Sequence, residues 1–206
     1  MTTAVKELNV ILAGVGGQGV VLMSEILGDA AVRGGFKVRG SEVLGMAQRG
    51  GSVFSNIRLG AEVESPMTAE GKGDVILAVE PSEGLRYIQY LNKKSTVILN
   101  IRKVIPATVS MGRSKYPDID IIKEKLQAVA DKVITLDAVE LAEKAGNRQS
   151  TNVVMLGALF GSGKMPVKVE IIKGLIRERF PAKAADTNLK AFDLGYETAV
   201  KLLSAG

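Results

Sequence analysis

Apolar positions along this chain switch between two spacings, and the switches lay out a succession of strands and helices. Val10–Ala13 is a short aliphatic run, too brief for a buried helix, and reads as a central parallel strand. From Gly17 the spacing lengthens. Val20, Val21, Ser24, Leu27 and Ala31 share one helical face until Gly34-Gly35 ends the run, which predicts a first crossover helix. Phe36–Val43 alternates and is expected to be a second strand completing a βαβ unit with right-handed crossover. Gly45–Gly51 reads as a loop, and Ser52–Leu59 (SVFSNIRL) as a half-exposed extra strand or hairpin at the sheet's edge.

Further on, Asp74–Val79 and Thr96–Asn100 are apolar enough for buried strands, with helical spacing over Glu83–Leu91 between them. Ile101–Pro117 is irregular, with the look of exposed loop or edge structure. Amphipathic patterns at Asp120–Ala130 and Ala138–Ala145 flank a strand at Lys132–Leu136. After Ser150 the pattern is helical only, over Thr151–Phe160, Lys168–Phe180 and Thr187–Leu203. The expected fold is α/β, a doubly wound, mostly parallel, Rossmann-like sheet with a helical C-terminal segment. A single domain over residues 1–206 is expected, its sheet part reaching about residue 150 and residues 151–206 forming a helical cap.

Composition narrows the chemistry. The chain of 206 residues is 46% hydrophobic, and its 27 Lys and Arg against 22 Asp and Glu are scattered, with few aromatics between them. The basic stripes and stacking platforms of nucleic-acid binders are missing, so no nucleic-acid partner is expected. There is no Cys, His or Trp. Disulfides, thiolate nucleophiles, cysteine-ligated Fe–S clusters and histidine bases or metal ligands are therefore excluded within this chain. No metal site or catalytic residue is assigned, and the chemistry falls to a cofactor or another chain. The N-terminus lacks a signal-peptide pattern and no apolar run reaches a membrane span, so a cytoplasmic chain without membrane contact is expected.

Two glycine-rich stretches carry the candidate site. Gly14-x-Gly16-Gly17-x-Gly19 follows the first strand and opens the first helix, where unpaired N–H groups and the positive helix end can hold a phosphate. With Glu42 at the end of the next predicted strand, placed to meet a ribose hydroxyl, this satisfies the dinucleotide-binding pattern; the competing reading is a tight, close-packed turn. Gln48-Arg49-Gly50-Gly51-Ser52 joins an arginine, an amide and a hydroxyl to two glycines, a loop able to bind phosphate or simply to lie exposed. Two other motifs fail. Tyr90 and Lys94 have the spacing of a reductase pair but sit at a solvated helix end, and Gly161-Ser-Gly163-Lys164 lacks the first glycine and the final Ser or Thr of a P-loop.

LAGVGGQGV, SEVLGMAQRGGSV, DVILAVEP, TNVVMLGALF and NLKAFDLGYETA together resemble, in order and over nearly the whole chain, the gamma subunit or domain of 2-oxoacid:ferredoxin oxidoreductases. Among these the chain is most similar to the small subunit of indolepyruvate ferredoxin oxidoreductases. The resemblance implies a subunit, inactive alone, of an enzyme that oxidatively decarboxylates aryl pyruvates to aryl acetyl-CoA and reduces ferredoxin. It implies a larger partner carrying thiamine diphosphate, Mg and the Fe–S clusters, with coenzyme A as substrate and ferredoxin met only indirectly. Gly14, Gly16, Gly17, Gln18 and Gly19 match the first family motif; Ser41, Glu42, Gly45, Gln48, Arg49, Gly50, Gly51 and Ser52 match the second. Leu44 stands where indolepyruvate members have histidine, which leaves an aliphatic 2-oxoacid open as the substrate. The alternatives are a free-standing NAD(P)-binding oxidoreductase or nucleotide-binding module, and a purely structural partner.

Overall fold

The computed structural model describes residues 5–45, 47 and 49–205. Its strands are β1 (Leu8–Val15), β2 (Val38–Leu44), β3 (Ser52–Leu59), β4 (Val75–Ala78), β5 (Thr96–Asn100) and β6 (Lys132–Leu136). The helices are α1 (Val20–Arg33), α2 (Pro81–Arg86), α3 (Ala107–Ser110), α4 (Ile119–Val129), α5 (Ala138–Ala145), α6 (Thr151–Gly161), α7 (Val169–Arg179) and α8 (Ala182–Ser204). One sheet carries all six strands in the order β2-β3-β1-β4-β5-β6, with β1, β4, β5 and β6 parallel. This is the doubly wound, mostly parallel α/β arrangement expected.

The sequence reading differs from the structure at the second strand. β2 does not pair with β1; β3 lies between them, antiparallel to both. Strand β3 is therefore internal and buried rather than a half-exposed edge, and β2 is the edge. Alternation misleads here because the polar residues of β3 find partners inside. Ser55 donates to Ser24 of α1 at 2.8 Å, and Asn56 donates to Ser41 of β2. A buried hydroxyl with a hydrogen-bond partner need not face water. The expected helix over Glu83–Leu91 is also shorter, ending at Arg86 and followed by a 3₁₀ turn at Ile88–Tyr90, whereas α8 starts earlier than Thr187.

The sheet has an apolar core on each face. On one, Val10, Leu12, Ile57, Leu77 and Ile98 pack beneath α1 and α5 to α8. On the other, Ile11, Phe54, Ile76, Val97 and Leu99 meet α2 and α4. Helix α6 is buried on every side from Asn152 to Gly161, which explains why its sequence shows so little polar periodicity. It crosses α8 at backbone contact: a β-carbon on Gly157 would stand 2.0 Å from the carbonyl oxygen of Phe192, and one on Gly195 would stand 2.0 Å from that of Val154. Among the described residues no helix is long and apolar enough to cross a membrane.

Candidate functional site

Strand β1 ends at Val15, and the chain turns through four residues into α1. Gly17 and Gly19 have φ of 94° and 76°, values that favour glycine, and Gly19 is the residue from which α1 starts. Gly14 lies inside the strand, buried, where a β-carbon would come within 2.8 Å of Val20 and 2.9 Å of the Gln18 side chain. Its lack of a side chain makes room for the turn itself. Gln18 folds back over this turn: its Oε1 accepts from the Val15 N–H at 2.9 Å and its Nε2 donates to the Val79 carbonyl at 3.3 Å.

The loop after β2 is brought directly onto this turn. The Gly16 N–H donates to the Gly51 carbonyl at 2.8 Å, and the Gly50 N–H donates to the Gly16 carbonyl at 3.1 Å. Arg49 is exposed, and its Cγ would lie 4.0 Å from a β-carbon on Gly17. Ser52 is tied to α2, donating to Glu83 at 2.5 Å and lying 3.0 Å from the Tyr87 hydroxyl. Gln48 lies outside the described residues. Ser41 and Glu42 are not part of this junction. They sit in mid-β2, opposite Asn56 and Ser55, which in turn face Ile11 and Leu12 of β1. With β3 intervening, Glu42 is two strands from β1 and level with its middle, away from where a ribose on the glycine turn would lie.

The junction separates two spaces. On one side a hollow of about 610 Å³ is lined mainly by apolar groups, among them Val20, Val21, Leu44, Ala47 and Val53. Leu44 itself is 60% exposed at the end of the edge strand. On the other side a crevice of about 370 Å³ opens beyond the carboxyl ends of β1, β4 and β5, bordered by Gln18, Asn100, Arg102, Lys103, Arg148 and Asn152. Ligands of open α/β sheets commonly bind in this position.

Carboxamides hold the crevice floor together. Asn100 donates to the Val79 carbonyl at 2.9 Å and accepts from the Ala138 N–H at 3.1 Å, linking the ends of β4 and β5 to the start of α5. The wall formed by residues 101–105 is fixed from below by Glu80, which is fully buried. Glu80 accepts from the Val104 N–H at 3.2 Å, the Tyr116 hydroxyl at 2.5 Å, Ser82 Oγ at 2.6 Å and the Glu83 N–H at 3.1 Å. Burial, and then the adjacent Glu80 carboxylate, push the Tyr116 phenol well above the ordinary tyrosine range. Arg102 pairs with Asp137 at 2.8 Å. Partial burial raises the Asp137 carboxyl, but Arg102 and the Glu140 N–H outweigh it and leave that carboxyl below its usual range.

Asn100, Arg102, Lys103, Arg148 and Asn152 were not among the residues singled out from the sequence. Only Asn100 carried a local signal, a polar residue closing the otherwise apolar strand TVILN. The basic residues come from two loops that the strand order alone brings together. The donor set fits no metal centre: the chain has no Cys or His, and among the described residues no cluster of acidic groups could hold a metal ion.

Fold and site together define a doubly wound α/β protein with a glycine junction at the carboxyl end of its sheet and no thiolate or imidazole of its own. The chain belongs to the pyruvate ferredoxin/flavodoxin oxidoreductase family, whose pattern matches residues 9–198. It is 48% identical over 194 residues to the indolepyruvate oxidoreductase subunit IorB of Archaeoglobus fulgidus, covering 94% of this chain and 96% of that one. The subunit of the same name from Pyrococcus horikoshii is 46% identical over 200 residues, covering 97% and 99%. Among solved structures, a 2-oxoglutarate:ferredoxin oxidoreductase from Magnetococcus marinus, with 2-oxoglutarate, coenzyme A and succinyl-CoA bound, has the same fold. It aligns with a TM-score of 0.72 at 19% identity, over 95% of this chain and 31% of that one. The kinship expected from the two glycine motifs holds, and the chain is a subunit of an oxidoreductase complex of this class. A free-standing nucleotide-binding enzyme is not favoured.

Proposed function

We propose that this chain is the small subunit of an indolepyruvate-type enzyme, which oxidatively decarboxylates aryl pyruvates to the acyl-CoA and passes the electrons to ferredoxin. In this reading the chain is one domain over residues 1–206, acting in the cytoplasm within a hetero-oligomer. A larger subunit carries the thiamine diphosphate, its Mg and the Fe–S clusters, which supply the carbanion and electron chemistry. The absence of cysteine and histidine from this chain supports that division.

The observation that carries the proposal is the backbone pairing of Gly16 with Gly50 and Gly51, which turns two separate motifs into one rigid surface beside the apolar hollow. Its residues bind and exclude water; none of them needs to titrate. Arg49 and the Gly17 and Gly19 N–H groups of the turn give this surface its anion contacts, facing coenzyme A or the partner. Gln18 sets the shape of the turn, and Ser52 anchors the second loop to α2. Ser41, Glu42 and Gln48 are proposed to contact the partner rather than the cofactor. Leu44 makes the neighbouring wall apolar, which suits an aromatic or branched aliphatic side chain.

The test is co-expression with the larger subunit, followed by assay of 2-oxoacid-dependent, coenzyme A-dependent reduction of ferredoxin. Indolepyruvate turned over faster than pyruvate or 2-oxoisovalerate, and only when both chains are present, is the expected result. Preference for an aliphatic 2-oxoacid would overturn the substrate, and full activity of the larger chain alone would overturn the role.

A further inference from the structure

Between β5 and α4 the chain runs out into an excursion, residues 104–116 (VIPATVSMGRSKY), at the carboxyl end of the sheet. Both of its ends are fixed to one buried atom: Glu80 Oε1 accepts from the Val104 N–H at 3.2 Å and from the Tyr116 hydroxyl at 2.5 Å. Among the described residues, the hydrogen bonds of the segment between these two points run only from one part of it to another, through α3 and the turn at Gly112. None of residues 105–115 is buried. The result is a self-contained knob held at its neck, which can be covered by a partner without first being ordered.

Its surface is apolar and basic. Ile105 and Met111 are 49% and 67% exposed, and Arg113 and Lys115 are exposed on the same short segment. Met and Arg are residue types enriched in interfaces, and an exposed thioether fits itself readily to an apolar depression. From Gly84 to Pro117 the sequence has seven basic residues and no acidic one, against a net charge of +5 for the whole chain, so the excess of positive charge resides in this stretch. The acids that follow are engaged, Asp118 capping α4 and Asp120 pairing with Lys123 at 3.0 Å. A second copy of this chain would bring like charge against the knob, whereas an acidic surface complements it. The glycine junction lies at the same end of the sheet.

We infer that the knob docks on an acidic surface of the larger subunit, with Ile105 and Met111 entering an apolar depression and Arg113 and Lys115 meeting carboxylates around it. The inference rests on the reading that a larger subunit exists, and adds to it the surface by which the two chains hold together. Permanent cover by a subunit suits these apolar side chains better than brief visits by an electron carrier.

The test is hydrogen exchange over residues 104–116, measured in the full chain alone and in its co-expressed complex with the larger subunit. It is paired with assembly measured at rising salt for Met111→Asp and for the double variant Arg113→Glu, Lys115→Glu. These positions are exposed, so both variants should keep the circular dichroism of the parent. Exchange in the knob is expected to slow by about tenfold or more in the complex. Both variants should weaken assembly by about tenfold or more, the charge-reversed one most at low salt. An assembled parent complex with no slowing in the knob, or parent-like assembly of both variants, would overturn the inference alone. Slowing in the concentrated chain by itself, or only after ferredoxin is added, would overturn it in favour of a second copy or a carrier. Failure of the parent to associate with the larger subunit would instead overturn the earlier reading, and this one with it.

Discussion

Gly157 of α6 lies against Phe192 of α8 with no side chain between the two backbones, the Phe192 carbonyl oxygen standing 2.0 Å from where a β-carbon would be. Adding that carbon must push two buried helices apart. Gly157→Ala is expected to destabilise the chain by about 2–4 kcal/mol, an overpacking cost at the high end because the obstacle is backbone. Gly174, in the middle of α7, has nothing within 4 Å of its would-be β-carbon and an ordinary helical backbone. Gly174→Ala should raise stability by about 0.5–1 kcal/mol through helix propensity. Urea denaturation of both variants checks the contrast, which vanishes if the α6–α8 crossing is looser than described.

Gln18 offers a test of the strand-end ties. Gln18→Ala removes the acceptor of the Val15 N–H, while the Val79 carbonyl keeps Asn100, so a loss of about 1–2 kcal/mol is expected. Gln18→Glu should cost more, since a carboxylate oxygen then faces the Val79 carbonyl. Equal stabilities for the two variants would mean that the Val79 contact contributes nothing.

The phenol of Tyr116 predicts an alkaline limit. Its folded value is raised above the ordinary tyrosine value of about 10. The unfolded chain therefore loses this proton first, and the contribution to stability is complete below about pH 10 and lost as the pH rises beyond it. Tyr116→Phe should flatten that alkaline decline while lowering stability at neutral pH, because Glu80 loses a donor. Thermal melts between neutral pH and about pH 11 measure both effects; an unchanged alkaline slope in the variant would assign the decline to other groups.

Arg49 is the exposed cation of the paired glycine loops. Arg49→Ala should leave the stability of the chain within about 0.5 kcal/mol of the parent. It should raise KM for coenzyme A or weaken assembly with the larger subunit by about tenfold, the loss expected of one charge-assisted contact. Unchanged coenzyme A kinetics together with unchanged assembly would remove Arg49 from the site.

Much of the fold was legible because the buried strands are short, aliphatic runs between segments of different pattern. Thr96–Asn100, Lys132–Leu136 and Ser52–Leu59 fall where the pattern put them. Strand order was not legible at β3. Ser55 and Asn56 look like solvent-facing positions until Ser24 and Ser41 arrive from elsewhere in the chain to satisfy them. Of the candidate site, the junction of the two glycine motifs could be named from their composition, but not the hydrogen bonds between Gly16, Gly50 and Gly51 that join them. The crevice was illegible for a different reason. Arg102, Arg148 and Asn152 are ordinary residues in sequence and gain their meaning only from the parallel order of β1, β4 and β5.

The floor beneath that crevice is tied by Gln18 and Asn100, whose side chains have no proton to gain or lose at any physiological acidity. The chain also has no histidine, the side chain that most often changes charge between pH 5 and 8. The platform is thus electrically constant, and acidification of its surroundings leaves it as it was.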